Sequence, residues 1–473
     1  MRLSQLITSI PEAQVLSGSL DLDVTDVQLD TRAVGPGSLF CCVPGTSQDG
    51  HDFVSAAVAA GAVGVVTERD VFGSDSNITE IRVPLGTMRR VCARLSARIY
   101  DDPAQSLALV GITGTNGKTT VAHLVQTILG HSGFDASVIG TLTGARTTPP
   151  APELHAVFAE RVRHALAVKK KGAVALEVSS HALDQERVDG VVFDVAVFTN
   201  LSPEHLDYHE TMEDYFETKA QLFEPSVSRH AVIWTGSKEG EELALRRSDA
   251  CRVNFSAAQN IVLDINGSTF TWRDQAVSVP LLGMVNVMNA LLALETVTVL
   301  GVSAADGAVA ISKAPRVPGR MDVVGKTAAS AQVIVDYAHT PEALSQVLRE
   351  ARDLAGESGK VVIVFGCGGD RDQTKRPVMG AIASELSDLM IVTTDNPRHE
   401  KATDIAAQIL AGVVGSAEVL SLPERFQAIE TAITRAQEGD VVVIAGKGHE
   451  ETQIIGDLAT PFNDRDVALQ VMG

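Results

Sequence analysis

A glycine-rich segment with one lysine could bind the phosphates of a nucleotide. It reads TGTNGKTT at residues 113–120 and follows the apolar run 107–112. Glycines let backbone N–H groups approach phosphate oxygens, Lys118 would neutralise the charge of the β- and γ-phosphates, and the Thr119 hydroxyl would reach Mg²⁺. The spacing is not the strict Walker pattern, because Ile112 stands where the first glycine is expected. A Gly-Lys-Thr core between a strand-like and a helix-like run still predicts ATP binding rather than a plain glycine turn.

Polar clusters also follow several other apolar runs, and these runs predict the fold that would position the clusters. The runs are short, rich in Val, Ile and Ala, and separated by longer amphipathic stretches. They lie at residues 174–176, 195–198, 333–335, 361–365, 390–392 and 441–445. This alternation predicts an α/β fold with largely parallel sheets. Ligands of open α/β sheets gather at the carboxyl ends of the strands, so we expect the candidate sites there.

The length of the chain requires more than one hydrophobic core. Single cores stop growing near roughly 250 to 300 residues, so a chain of 473 residues favours three domains. Turn-forming residues at 101–103 and 316–320 predict the linkers. We therefore place the domains at residues 1–103, 104–317 and 318–473. The absence of a 20- to 50-residue sequence repeat argues against a solenoid or a propeller.

Composition and charge limit the class of partner. The formal net charge of −20 argues against a nucleic-acid binder, because phosphate binding needs clustered Lys and Arg that the sequence lacks. The five cysteines are scattered and odd in number, which favours a reducing cytoplasm over a disulfide framework or a zinc site. No segment has the pattern of a signal peptide or a membrane span. We expect a cytoplasmic monomer that binds small molecules, with neither nucleic acid nor membrane insertion.

Several motifs together resemble the Mur ligase family, which also includes the folylpolyglutamate synthetases. Beside the phosphate loop at 113–120, the chain contains LEVSSH at 176–181, NLSPEHLDYH at 200–209 and DNPR at 395–398. The resemblance extends from Asp30-Thr31-Arg32 to Asn463-Asp464-Arg465, which is nearly the whole chain. This coverage is much more specific than one nucleotide motif.

The resemblance implies a fold and a reaction. The fold is a three-domain α/β architecture with a UDP-binding domain at 1–103, a central P-loop ATPase domain at 104–317 and a Rossmann-like, amino-acid-binding domain at 318–473. Enzymes of the family form an acyl phosphate from ATP and a substrate carboxylate, and an incoming amine then displaces the phosphate. The DNPR motif is similar to that of members that add meso-diaminopimelate to UDP-N-acetylmuramoyl-L-Ala-D-Glu in peptidoglycan synthesis.

Three alternatives remain. An L-lysine-adding member of the same group would lack Arg398, and a folylpolyglutamate synthetase-like ligase would lack the N-terminal domain and the DNPR loop. A non-catalytic ATP-binding regulator would have lost catalytic groups of the family. These groups are Lys118, Glu177, His205 and Lys219, and all are present.

The resemblance also implies the residues that bind ATP and metal. The expected ATP contacts are Gly114, Thr115, Asn116, Gly117, Lys118, Thr119, Thr120, Asn286, Asn289, Arg320 and Asp336. The expected Mg²⁺ ligands are Thr119, Glu177, His205 and a carbamylated Lys219. Without the resemblance, we would interpret Glu177 as a solvated carboxylate at a strand end and Lys219 as an exposed helical lysine. His205 and His209 are four residues apart, which is the spacing of two zinc ligands on one helix face, but no HExxH pattern is present. Mg²⁺ prefers oxygen ligands, so we expect only His205 of this pair to bind it.

The two other substrates have their own implied contacts. For the UDP-muramoyl dipeptide these are Leu29, Thr31, Thr46, Ser47, Gln48, Thr147, Thr148, Ser179, Gln185 and Arg187. For diaminopimelate they are Arg371, Asp395, Asn396, Pro397, Arg398, Gly446 and Glu450. Arg398 would pair with the distal carboxylate and Glu450 with the distal ammonium. The sequence departs from the family in a short stretch between residues 140 and 147, and in lacking a second acid and a Pro after Glu400.

Overall fold

The first of three α/β units in the computed structural model has a five-stranded sheet. The structure describes residues 1–45, 48–71, 78–144 and 146–473. The strands of this unit are β1 Gln14–Ser17, β2 Asp26–Gln28, β3 Ser38–Cys41, β4 Gly64–Thr67 and β5 Thr79–Arg82. Its α-helices are α1 Leu3–Leu6, α2 Val54–Ala60 and α3 Met88–Ile99. The strand order is β1-β5-β4-β3-β2, and only the edge strand β1 is antiparallel to its neighbour. Leu39 and Phe40 enter two separate apolar clusters, because successive side chains of a strand point to opposite faces.

The second unit has a six-stranded parallel sheet and a small antiparallel sheet. Its strands are β6 Ala108–Thr113, β7 Asp135–Ile139, β8 Gly172–Glu177, β9 Phe193–Phe198, β10 Ser228–Trp234, β11 Cys251–Val253, β12 Gln259–Asp264, β13 Gly267–Trp272 and β14 Gln275–Val279. Its helices are α4 Lys118–His131, α5 Ala151–Ala167, α6 Ser180–Asp184, α7 Met212–Ala220, α8 Lys238–Arg246, α9 Met284–Val299 and α10 Ala304–Ile311. The parallel order is β11-β10-β9-β6-β8-β7, so β6 lies inside the sheet and ends at the phosphate loop.

The third unit has a six-stranded sheet and a separate hairpin. Its strands are β15 Asp322–Lys326, β16 Gln332–Asp336, β17 Val361–Phe365, β18 Leu389–Val392, β19 Glu418–Ser421, β20 Val441–Ala445, β21 Thr452–Ile455 and β22 Leu458–Pro461. Its helices are α11 Pro341–Ala355, α12 Lys375–Leu386, α13 Ala402–Leu410, α14 Arg425–Arg435 and α15 Asp464–Met472. The order is β15-β16-β20-β17-β18-β19, with only β15 antiparallel, and β21 pairs with β22. Apolar clusters cover both faces of the sheet.

These sheets confirm the predicted α/β fold class. All seven apolar runs fall on parallel strands, although the run 107–112 corresponds to β6 Ala108–Thr113, one residue later. The offset arises because the Leu107 N–H bonds back to the Ala104 carbonyl and closes a turn instead of joining the sheet. Within the described residues, no helix combines the length and the apolar character that a membrane span requires.

Candidate active site

The phosphate loop joins β6 to α4 and requires glycine at two positions. Gly114 has a φ of +145° and Gly117 a φ of +85°, which side-chain-bearing residues rarely adopt. A Cβ atom on Gly114 would lie 1.9 Å from Thr199 Oγ1, so a side chain there would displace the loop. Lys118 Nζ donates to the carbonyl oxygens of Gly114 and Thr115, both at 2.8 Å. The ammonium group therefore lies folded over the loop, at the N-terminus of α4, where an anion is stabilised.

A buried carboxylate lies beside this loop. Glu177 is fully buried at the end of β8, so it is not a solvated strand-end residue. It accepts hydrogen bonds from Thr119 Oγ1 at 3.0 Å, from the Thr141 N–H at 3.0 Å and from the Thr141 hydroxyl at 3.2 Å. None of these donors is charged, and an uncompensated buried carboxylate is costly. Thr119, Glu177 and His205 line one cavity of about 170 Å³, and its oxygen-rich wall suits a hard divalent cation.

Lys219 also contacts the phosphate loop but does not line that cavity. It belongs to α7 and is only 2% exposed, which excludes a solvent-facing helical lysine. Its Nζ donates to the Gly114 carbonyl at 3.1 Å and lies 4.5 Å from the centre of the Tyr215 ring. Burial, followed by the charge of Lys118, lowers the pKa of Lys219 well below its ordinary value. A neutral amine is the form that reacts with CO₂.

The segment around His205 connects the second unit to the third. Burial lowers the pKa of His205 to about 4, so the ring is neutral and can bind a cation. Its neighbour Glu204 accepts a hydrogen bond from His339 Nε2 at 3.0 Å, and His339 Nδ1 donates to the Tyr337 carbonyl at 2.8 Å. Burial alone would raise the pKa of Glu204, but the contact with His339 holds it well below its usual range. His205 and His209 lie in a non-helical segment, so they do not form a zinc pair on one helix face.

A larger cavity of about 380 Å³ lies between the second and third units. Its wall includes the following expected ATP contacts: Asn116, Gly117, Thr120, Asn286, Asn289, Arg320 and Asp336. The Asn289 Oδ1 atom is buried without a partner among the described residues, and the Asp336 carboxylate accepts from the Met321 and Ala338 N–H groups. Trp234 and Phe255 supply an apolar end, with ring centres 4.8 Å apart. The cavity therefore offers both polar groups, some of them from the phosphate loop, and aromatic surface.

A second cavity of about 380 Å³ lies at the carboxyl ends of the strands of the third unit. Six of the seven residues expected to contact diaminopimelate line it, namely Arg371, Asp395, Asn396, Arg398, Gly446 and Glu450. Pro397 does not; its carbonyl accepts from the Glu400 N–H at 3.0 Å and shapes the turn. Four residues line both this cavity and the one beside Glu177: Glu204, His205, Tyr337 and His339. The two cavities therefore meet at the Glu204–His339 contact.

The residues expected to bind the UDP-muramoyl dipeptide are spread over several places. Leu29, Gln185 and Arg187 line a cavity of about 70 Å³ between the first and second units. Burial, followed by the charges of Arg146 and Arg89 in the same cavity, lowers the pKa of Arg187 to about 10. This concentration of guanidinium groups suits an anionic ligand.

The other expected contacts of this substrate lie elsewhere. The Thr148 hydroxyl donates to the Glu177 carbonyl at 2.8 Å and accepts from the Ser179 N–H at 3.1 Å, while Thr147 lines the cavity beside Glu177. Thr31 and Gln48 do not line the Leu29 cavity, and Thr46 and Ser47 lie outside the described residues.

The structure also identifies candidates that the sequence analysis had not assigned. Glu204 stands inside the NLSPEHLDYH motif, directly before the candidate metal ligand His205, and this position was a usable signal. His339 lies three residues after the expected ATP contact Asp336. Arg89 and Arg146 carried no motif, and only the packing of the first unit on the second shows that they share a cavity with Arg187.

A phosphate loop that meets a separate, charged cavity of amino-acid size is the arrangement of an ATP-dependent ligase. Three family models match the chain in succession: Mur ligase family, catalytic domain, at residues 23–100; Mur ligase middle domain at 112–297; and Mur ligase, glutamate ligase domain, at 319–448. The chain belongs to the Mur ligase family.

Individual relatives agree with the family models. The chain is 41% identical over 474 residues to the UDP-N-acetylmuramoyl-L-alanyl-D-glutamate--2,6-diaminopimelate ligase of Gloeobacter violaceus, covering 96% of this chain and 94% of that protein. The ligase of the same name from Synechococcus elongatus is 39% identical over 501 residues, with 99% and 98% covered. A solved structure of a ligase with this name has a TM-score of 0.67 at 29% identity and covers 99% of this chain and 98% of its own. A folylpolyglutamate synthase structure from Mycobacterium tuberculosis shares the fold, with a TM-score of 0.58 at 20% identity over 74% of this chain and 91% of its own.

Proposed function

We propose that this chain joins meso-diaminopimelate to the D-glutamate of UDP-N-acetylmuramoyl-L-Ala-D-Glu, using ATP, in peptidoglycan precursor synthesis. The observation that carries this proposal is the meeting of two cavities at Glu204 and His339, one beside the phosphate loop and one lined by Arg371, Arg398 and Glu450. Relatives that match nearly the whole chain are named for this ligation. The reaction would take place in the cytoplasm, on small-molecule substrates and by a monomer.

The first chemical step would occur beside the phosphate loop. A carboxylate oxygen of the dipeptide's glutamate forms a bond to the γ-phosphorus as the bond from that phosphorus to the β-phosphate oxygen breaks, and ADP leaves. Lys118 would neutralise the phosphates, and Arg320 would add a second cation from the third unit. Arg320 is suitably placed, because its Nη2 lies 3.4 Å from Thr119 Oγ1 and its guanidinium carbon 4.5 Å from the centre of the Tyr337 ring.

A divalent cation fits the residues beside the loop. Glu177 is buried with only neutral donors around it, and the Thr119 hydroxyl and the neutral His205 ring line the same cavity. We propose that these three residues hold Mg²⁺, with a carbamate on Lys219 as a further anion. The ion would reduce the repulsion between the substrate carboxylate and the γ-phosphate. The buried amine of Lys219 supports carbamylation, because burial favours its neutral form.

The second step would occur where the cavities meet. The diaminopimelate amine attacks the acyl carbon, the bond from that carbon to the phosphate oxygen breaks, and the amine loses a proton. Arg371 and Arg398 line the amino-acid cavity, and neither forms an ion pair with a described residue, so both are free to bind substrate carboxylates. This feature favours diaminopimelate over L-lysine, which has no distal carboxylate.

A phosphate-release assay with product identification tests the proposal. UDP-N-acetylmuramoyl-L-Ala-D-Glu and ATP would be combined with meso-diaminopimelate or with L-lysine. In a separate reaction, a folate and ATP would be combined with L-glutamate. We expect phosphate and a UDP-linked tripeptide with diaminopimelate only. Turnover of folate and glutamate, or an equal rate with lysine, would contradict the proposed substrate.

A further inference from the structure

Lys447 is a buried cation that no proposed step uses. It follows β20 in the segment Gly446-Lys447-Gly448, and its side chain is fully buried. It does not line the amino-acid cavity, although its neighbours Gly446 and Glu450 do. Burying an ammonium group is costly unless it is paired and hydrogen-bonded, so its partners indicate what it does.

Those partners are two residues of the amino-acid cavity. Lys447 Nζ donates to Glu450 Oε2 and to Asn396 Oδ1, both at 3.0 Å. Asn396 Nδ2 donates to the same Glu450 oxygen at 2.7 Å. Both donors therefore hold Oε2, and no residue in the described part of the chain donates to Oε1. The Glu450 side chain is 30% exposed and lines the cavity, which leaves Oε1 available to a ligand.

Asn396 is itself held in place by the β21–β22 hairpin. Its Oδ1 accepts from the Ile454 N–H at 2.9 Å in addition to Lys447. The hairpin also holds the backbone on either side: Gln453 Nε2 donates to the Asp395 carbonyl at 2.9 Å, and the Arg398 N–H donates to the Ile454 carbonyl at 3.1 Å. The polar atoms of Asn396 are therefore engaged within the protein, and this residue orients Glu450.

Arg398, a cation that lines the same cavity, is also held by a hydrogen bond. Arg398 Nη1 donates to the Gly369 carbonyl at 2.7 Å, which restrains the guanidinium against the loop that follows β17. A guanidinium and a carboxylate oxygen that are both held by hydrogen bonds can recognise a carbon atom that carries one carboxylate and one ammonium group. Inverting the configuration of that carbon exchanges the positions of the two groups, so both would then face the wrong partner.

We propose that Lys447 is a positioning residue that, through Glu450, sets the stereochemical preference for the distal centre of the amino acid. This inference rests on the proposed function, because it takes diaminopimelate as the substrate. Lys447 does not touch the ligand. By donating to Oε2 it orients the Glu450 carboxylate so that Oε1 points towards the distal ammonium, and the site therefore selects meso- over LL-diaminopimelate.

The test compares Lys447→Met, Glu450→Gln and the double variant with wild type. For Lys447→Met we expect a rise of about tenfold or more in KM for meso-diaminopimelate, the scale of a lost hydrogen bond to a charged group. The KM values for ATP and for the UDP-linked substrate should stay within about twofold, and the ratio of kcat/KM between the meso and LL isomers should fall. The double variant should resemble Glu450→Gln alone, because a residue that acts through another has no effect once the other is removed.

A matched control separates this role from general stability. Lys360 is exposed and precedes β17, at the end of the sheet opposite the cavity, so Lys360→Met should leave all constants unchanged. If Lys447→Met does not fold, the double variant, which removes both charges together, is compared with Glu450→Gln instead.

Three results would overturn the inference alone: an unchanged isomer ratio in Lys447→Met, equal increases in KM for all three substrates, or a double variant markedly worse than Glu450→Gln. A wild-type enzyme that does not ligate diaminopimelate at all would overturn the proposed function as well.

Discussion

Replacing Arg398 tests how the protein distinguishes diaminopimelate from lysine. The two amino acids differ at the distal end by one carboxylate, and a guanidinium group can bind that carboxylate through two parallel hydrogen bonds. We expect wild type to prefer meso-diaminopimelate and Arg398→Ala to lose this preference, mainly through loss of activity with diaminopimelate.

The expected magnitude follows from the surroundings of Arg398. The side chain is only partly exposed and lines the amino-acid cavity, and its Nη1 donates a hydrogen bond to the Gly369 carbonyl. A charge-assisted pair in such a site contributes about 1.5 to 3 kcal/mol, which corresponds to roughly 10- to 150-fold. An ion pair in open solvent contributes about 0.2 to 1 kcal/mol, or less than about sixfold. A tenfold preference therefore separates an enclosed arginine from an exposed one.

The assay is kcat/KM for both amino acids, measured by phosphate release with product identification. Arg435→Ala is the matched control, because Arg435 is 44% exposed and pairs with Glu418 at 2.9 Å in the same domain, outside the cavity. This control should keep the wild-type ratio. Equal use of lysine and diaminopimelate by wild type, or an Arg398→Ala variant that keeps the wild-type ratio, would refute the reasoning.

Three further predictions concern the phosphate loop, the buried lysine and a carboxylate between domains. Lys118→Ala should abolish ligation with an unchanged circular dichroism spectrum, because it removes the ammonium group that lies over the phosphate loop at the start of α4; near-normal phosphate release would contradict this. Lys219→Ala should be nearly inactive and partly restored by a short-chain carboxylic acid, and ¹³C NMR of wild type in labelled bicarbonate should show a carbamate; a free amine in the substrate-bound enzyme would count against it. Burial raises the pKa of Glu350 to about 7 in the folded protein, above the value in the unfolded chain. The protonated carboxyl therefore stabilises the fold fully below about pH 4, and this stabilisation is lost as the pH rises through 7. Glu350→Gln should therefore raise the free energy of unfolding in urea by up to about 3 kcal/mol at pH 8 and by little at pH 4, and an equal effect at both pH values would disprove the assignment.

The sequence was sufficient for the fold class and for the residue types at the site. Parallel strands such as β17 and β20 are continuous apolar runs because both of their faces are buried, and this property is visible in adjacent residues. The phosphate loop is equally local, since Gly114, Gly117 and Lys118 act through their own backbone and the helix that follows.

Only the tertiary structure decided which of these groups meet. Glu204 and His339 are 135 positions apart and come into contact because the third unit packs against the second. Lys219 has the sequence surroundings of an exposed helical lysine, yet it is buried because α7 places it under the Gly114 carbonyl. Lys447 likewise lies between Asn396 and Glu450, 51 and 3 positions away. Local sequence encodes periodicity, turns and motif spacing, whereas burial and partner choice depend on contacts between distant segments, which a single sequence does not specify.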